Sequence, residues 1–186
     1  WLSKLPDSPP GRHVRSALRQ HGVEPAVVLS EEGRQGTYYL ESADQPRGRT
    51  VIYDREGAAV RTATAGELPT DRIERADAFH TTGITPALSE TLATTTADLL
   101  ALAREADTTT VFDLNYRSKL WEPDRARETI SDLLDLVDVF VVADRDAETV
   151  LGLAGSPTET AERLAADRDF ETVVVTRGDE GAIAVH

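Results

Sequence analysis

Residues Val111 to Trp121 read VFDLNYRSKLW. An apolar pair leads into Asp113, Asn115, Arg117 and Lys119, alternating with Leu114, Tyr116 and Ser118. This is the pattern of a buried strand that runs out at its C-terminal end into a polar, cationic loop. In open α/β sheets ligands sit at that end, where strand C-termini and helix N-termini converge. Arg117 and Lys119 supply fixed positive charge for a carboxylate or phosphate, and the Asn115 amide can both donate and accept. A polar strand end that merely caps a turn would look the same.

Composition narrows the partners. The chain has 186 residues, about one domain's worth, with 33 acidic and 20 basic side chains and a net charge of −13. Such a surface repels nucleic acid backbones and anionic membranes, so neither is an expected partner. Apolar runs fall well short of a membrane span. Cysteine is absent, which excludes disulfides and thiolate metal sites and is compatible with a reducing cytoplasm. Only Lys4 and Lys119 are lysine, the other 18 cations being arginine. Many Asp and Glu with few Lys suit a salt-adapted cytoplasmic protein, or an ordinary acidic bacterial enzyme. Methionine is absent and the chain begins with Trp1, so it reads as a fragment.

Working outward from the opening stretch, the elements alternate. Pro9 and Pro10 suit the first turn of a helix that stops near Gly22. Between Ala26 and Thr64, the β-prone runs AVVL, GTYYLES and RTVIYDR are separated by turn residues at Glu32-Gly33, Asp44 to Gly48 and Glu56-Gly57. They predict a small antiparallel sheet. From Asp77 the pattern is strand AFHTTG, helix from Pro86 to about Ala106, strand TTVFDLN, helix from Pro123 to Leu136 and strand DVFVVAD. Helices from Ala147 to Leu153 and from Pro157 to Asp167 follow, then strand TVVVTRG with a hairpin partner GAIAV. This predicts a mostly parallel sheet with helices on both faces. The expected division is a core helix region over 1–25, a β lid over 26–64 and an α/β core over 65–186.

A flap inserted into such a core can close over a ligand and exclude water. Within it Tyr38 and Tyr39 adjoin, while Tyr53 and Arg55 are two apart and therefore project from one strand face. A guanidinium beside an aromatic hydroxyl suits a polyhydroxylated acid. A plain surface sheet with cross-strand aromatic pairs is the other reading.

Together, GTYYLE (Gly36–Glu41), VIYDREGAAV (Val51–Val60), HTTGIT (His80–Thr85), FDLNYRSKLW and VTRGDEGAIAV (Val175–Val185) resemble the ribokinase-like (PfkB) sugar kinases. Within them the chain looks most like 2-keto-3-deoxygluconate kinases of haloarchaeal type. The likeness runs over essentially the whole chain, and FDLNYRSKLW is its specific part. It implies a three-layer α/β/α core with a small antiparallel β lid. The implied reaction is transfer of the γ-phosphoryl group of ATP, with Mg²⁺, to 2-keto-3-deoxygluconate in an Entner–Doudoroff-type route. Other sugar kinases of the family, such as a fructokinase, and a non-catalytic sugar-acid-binding module are the rival readings.

Carried over by position, the resemblance gives Tyr39, Tyr53 and Arg55 to the sugar acid, with Arg117 reaching substrate or transferring phosphate. Asn115 and Asp144 would lie near the nucleotide, and Thr176 to Gly181 would turn beneath its phosphates, Gly178 and Gly181 allowing close backbone approach. Taken alone, that turn reads sooner as a plain β-hairpin. The family's Asn-x-x-Glu pattern becomes Ala143, Asp144, Arg145, Asp146 here, so Asp146 would replace the Glu at the metal while the Asn is lost. Acidic residues there also suit a helix start. The family's Gly-Ala-Gly-Asp motif, which supplies the catalytic base, does not occur in the 186 residues. The base is therefore expected outside this chain, and the fragment is expected to be inactive. Lids of two subunits clasp in the resembling family, so a homo-oligomer is expected.

Overall fold

The computed structural model describes residues 1–42 and 49–186, so the turn expected at Asp44 to Gly48 lies outside the described residues. The chain divides into two compact units, Trp1–Pro69 and Thr70–His186.

In the first unit, β1 (Leu2–Pro6) pairs in parallel with β2 (Ala26–Ser30) around helix α1 (Pro9–Gln20). The α1 start is as expected: Ser8 caps it and Pro9 and Pro10 fill the first positions, where no N–H is needed. Gly11 has no room for a side chain, since a Cβ would lie 2.1 Å from the Pro6 carbonyl oxygen. The pairing of β2 corrects the sequence reading. AVVL does not join the antiparallel sheet, which consists of β3 (Thr37–Ser42) and β4 (Arg49–Asp54) alone. The physical reason is that β1, a strand the sequence reading missed, offers AVVL a parallel edge, with Leu5 and Pro6 buried. Short 3₁₀ turns at Ala59–Thr62 and Ala65–Glu67 follow β4, and a third, Thr70–Arg72, opens the second unit.

The second unit is built on β5 (Ala78–Thr82), β6 (Thr109–Asp113), β7 (Val139–Ala143), β8 (Thr172–Thr176) and β9 (Ala182–Val185), hydrogen-bonded in that order. The first four are parallel and β9 is antiparallel to β8. This is the mostly parallel α/β sheet that the alternation predicts. Along β6, β7 and β8 every second residue is buried, which seats Phe112, Phe140, Val142, Val173 and Val175 in the core. Removing one such phenylalanine side chain costs about 3–5 kcal/mol. Phe170 stacks on Phe140 with ring centroids 5.2 Å apart.

The connections carry α2 (Ile84–Ala87), α3 (Glu90–Glu105), α4 (Pro123–Leu134), α5 (Asp144–Asp146) and α6 (Pro157–Asp167). The expected helix from Pro86 is broken into α2 and α3 because Ser89 caps a new start, accepting from the Leu92 amide. The helix expected from Ala147 to Leu153 is instead a π-helical turn, Ala147–Leu151, ending at left-handed Gly152. Helix α6 begins with a reciprocal capping box of Ser156 and Glu159, which holds the Glu159 carboxyl below its usual range.

Candidate active site

The sequence-predicted residues fall in both units. In the first, the base of the β3–β4 hairpin is tied to the chain that follows it. Arg34 forms an ion pair with Asp54 and donates from Nε to the Glu56 carbonyl at 2.8 Å, while its amide donates to the Gly57 carbonyl. Two anchors thus fall on either side of Arg55. The Arg55 guanidinium carbon lies 4.1 Å from the centroid of the Tyr53 ring, a cation–π stack. At a partly exposed position such a stack contributes about 0.5–1 kcal/mol.

The register decides which other tyrosine belongs with this pair. Tyr38 lies directly opposite Tyr53, and Tyr39 opposite Ile52. Opposed residues share a sheet face and successive residues alternate. Tyr38 and Tyr53 therefore share one face and Tyr39 occupies the other. This corrects the grouping of Tyr39 with Tyr53 and Arg55. Adjacent tyrosines look alike in sequence, and only the pairing separates them. Tyr38 and Tyr39 are both well exposed, at 64% and 61%.

In the second unit, the VFDLNYRSKLW stretch behaves as read: β6 ends at Asp113 and the polar loop begins. The Leu114 amide still donates to the Val141 carbonyl at 2.9 Å. At Asn115 the backbone turns left-handed, φ +41°, a region that asparagine tolerates better than most residues. The Asn115 amide donates to Asp113 Oδ1 at 3.1 Å, and the Tyr116 amide to Asp146 Oδ2 at 3.1 Å. The Tyr116 hydroxyl donates to the Trp121 carbonyl at 3.0 Å, and Arg117 Nη1 to the Tyr116 carbonyl at 2.9 Å. Burial pushes the Asp113 carboxyl above its usual pKa, against the Asn115 amide and the charges of His80 and Arg117, which pull it down.

At the C-terminal ends of β7 and β8 lies a cleft of about 590 Å³, lined among others by Asp144, Arg145, Thr176, Arg177, Gly178 and Glu180. Asp144, Thr176 and Gly178 are thus brought together. The turn is also the hairpin weighed as its alternative: the Arg177 amide donates to the Gly181 carbonyl at 2.8 Å and β9 folds back on β8. Gly178 and Gly181 have φ of +60° and +88°, conformations that suit glycine. Arg177 and Glu180 lie within the turn expected at Thr176 to Gly181, and Arg145 adds a cation that the sequence reading does not single out. Arg177 forms an ion pair with Glu180 across the turn. Their signal was their place in VTRGDEG and beside Asp144.

Asp146, expected at a metal, is only 5% exposed. Besides the Tyr116 amide, it faces Arg145 Nε, 3.4 Å from Oδ1. Among the described residues no group of three or more His, Asp or Glu side chains could hold a metal ion. Magnesium bound with a nucleotide needs only one or two carboxylates beside the phosphates, and Asp144, on the cleft wall, fits that demand better than Asp146.

The sequence profile of the pfkB family carbohydrate kinases matches residues 1–186. The chain belongs to the pfkB family of carbohydrate kinases. It is 59% identical over 186 residues to a 2-dehydro-3-deoxygalactonokinase of Haloferax volcanii, covering all of this chain and 58% of that protein. With a 2-dehydro-3-deoxygluconokinase of Bacillus subtilis it shares 31% identity over 188 residues, covering 98% of the chain and 56% of the relative. The crystal structure of a 2-dehydro-3-deoxygluconokinase from Thermotoga maritima matches with a TM-score of 0.88 and 31% identity, over 94% of this chain and 55% of that one. The chain thus spans little more than half the length of these pfkB relatives. Among the described residues no helix is long and apolar enough to cross a membrane.

Proposed function

We propose that the protein carrying this chain transfers the γ-phosphoryl group of ATP to a hydroxyl of a 2-keto-3-deoxy sugar acid. The observation that carries the reading is the Tyr53–Arg55 stack with Tyr38 on the same exposed hairpin face. The guanidinium offers a charge-assisted bond to a carboxylate and the phenols offer partners for hydroxyls. Tyr38 replaces Tyr39 in this role. The sequence reading favours 2-keto-3-deoxygluconate; the 59% likeness to a galactonokinase against 31% to a gluconokinase favours the galactonate epimer.

Phosphoryl transfer asks a protein mainly for positioning and charge neutralisation. Arg117 supplies a cation for the sugar acid or the transferring phosphate, and Asn115 an amide beside it. Asp144, Thr176 and Gly178 line the cleft proposed for the nucleotide, with Gly181 closing its turn. Mg²⁺, when bound with ATP, supplies positive charge at the phosphate oxygens, and Asp144 is the side chain proposed to face it. The proton-accepting base is assigned outside these 186 residues. A salt-adapted, cytoplasmic homo-oligomer serving an Entner–Doudoroff-type route completes the reading.

The test is ATP-dependent phosphorylation by the whole protein in molar potassium chloride, across both 2-keto-3-deoxy epimers, fructose and ribose. Preference for the keto-deoxy acids is expected, with the galactonate form ahead. Preference for fructose or ribose would overturn the substrate assignment and leave a sugar kinase. Sugar-acid binding without turnover would favour a binding module.

A further inference from the structure

We propose that Asp146 is a positioning residue that fixes the loop bearing Arg117, and not a ligand of the nucleotide's magnesium. The proposal rests on the reading of Arg117 as a substrate or phosphate contact.

The loop after β6 is held by two carboxylates from two neighbouring strand ends. Asp113 closes on the Asn115 amide from within the loop's own strand. Asp146, one helical turn beyond β7, closes on the Tyr116 amide. Tyr116 is in this way clamped at three points: its amide by Asp146, its hydroxyl on the Trp121 carbonyl, and its carbonyl by the Arg117 guanidinium. A guanidinium on a long flexible stem gains fixed direction from such a clamp, because its neighbouring peptide plane cannot turn. Removing Asp146 frees the peptide plane before Tyr116, and so the backbone rotation at Tyr116 that sets the direction of the carbonyl on which Arg117 rests.

The same geometry argues against metal ligation. Magnesium demands near-ideal octahedral oxygen donors and gives up its water reluctantly. Asp146 is 5% exposed, with Oδ2 already accepting from an amide and Oδ1 facing Arg145 at 3.4 Å. Asp144, two residues earlier, lines the cleft.

Three measurements on the whole protein test this. The first needs neither substrate nor metal: hydrogen exchange at the Tyr116 amide is expected to be slow in the parent and in Asp146→Asn, whose amide oxygen still accepts. In Asp146→Ala it is expected to accelerate at least ~tenfold. The second is sugar-acid affinity. Asp146→Ala is expected to lose about ten- to a hundredfold, matching Arg117→Ala and adding little to it in the double variant. Asp146→Asn is expected to recover most of that loss. The third is the magnesium concentration for half-saturation, expected to move less than ~threefold in Asp146→Asn. Fast exchange at Tyr116 in the parent overturns the proposal. So does a large magnesium shift in Asp146→Asn with Tyr116 still protected. If Asp146→Ala does not fold, the parent exchange and the Asp146→Asn magnesium series still decide. If the parent binds no sugar acid the proposed function fails, while the exchange measurement still reads the clamp.

Discussion

Gly83 lies where β5 gives way to α2, and its amide donates to the Asp113 carbonyl at 2.8 Å. An alanine there would place a methyl carbon 2.2 Å from the Leu114 carbonyl oxygen and 3.2 Å from its carbon. An ordinary carbon–oxygen contact is more than 3 Å, so roughly 1 Å of movement is forced. The obstacle is backbone, not the free end of a side chain, and Ile130 Cδ1 at 3.4 Å blocks retreat. Overpacking of this kind costs about 1–3 kcal/mol. For a chain of this size, that lowers the melting temperature by about 2–12 °C. The displaced group is the carbonyl immediately before Asn115, so sugar-acid affinity should fall as well. Gly66→Ala is the control, since nothing lies within 4 Å of its Cβ, and a change within about 0.5 kcal/mol is expected there. Thermal unfolding followed by circular dichroism, in matched salt, compares the two. Equal melting temperatures for Gly83→Ala, Gly66→Ala and the parent would refute the steric reasoning.

Three further outcomes follow from the site. Arg55→Ala should raise the KM for sugar acids about ten- to a hundredfold, the loss of a charge-assisted bond, and change that for neutral sugars much less; equal losses would show that Arg55 does not read a carboxylate. Tyr38→Ala should weaken sugar-acid binding more than Tyr39→Ala, which lies on the opposite face, and calorimetric titration with equal effects would contradict the register. Burial raises the Asp113 pKa above 3.8, so its favourable contribution is full below pH 3.8 and is lost as the pH rises through the raised value. Asp113→Asn, which keeps an oxygen for the Asn115 amide, should therefore gain most over the parent at neutral pH in denaturant midpoints. That gain should shrink on acidification, and a gain growing toward acid would reverse the assigned cause.

The parallel core was legible because its strands carry their own signal. TTVFD, VFVVA and TVVVT are β-branched and apolar, and proline-started helices lie between them at regular spacing. The first strand was not, since LSKLP has a lysine and a proline in five residues and its burial alternates only once β2 is beside it. AVVL suits either sheet, and composition does not choose its partner. The site shows the same division. The cationic loop after Asp113 could be read from residue types, whereas the sharing of a face by Tyr38 and Tyr53 depends on register. The engagement of Asp146 with a main-chain amide could not be read either, because backbone donors leave no trace in a sequence.

Apart from Thr176 at the end of β8 and the buried Asp146, the chemistry-bearing residues of the second unit sit on short connections beyond the last buried residue of each strand. The polar positions of the segment 114–121 can therefore diverge with little effect on the packing beneath it, provided that Leu114 and Trp121 still fill the core and Tyr116 and Leu120 still pack against it. Lineages carrying this scaffold could acquire a new acceptor by exchanging one eight-residue passage, and a protein engineer could transplant that passage as a cassette. Gly83 is the hinge pin of such an exchange: any graft must leave the space above it open.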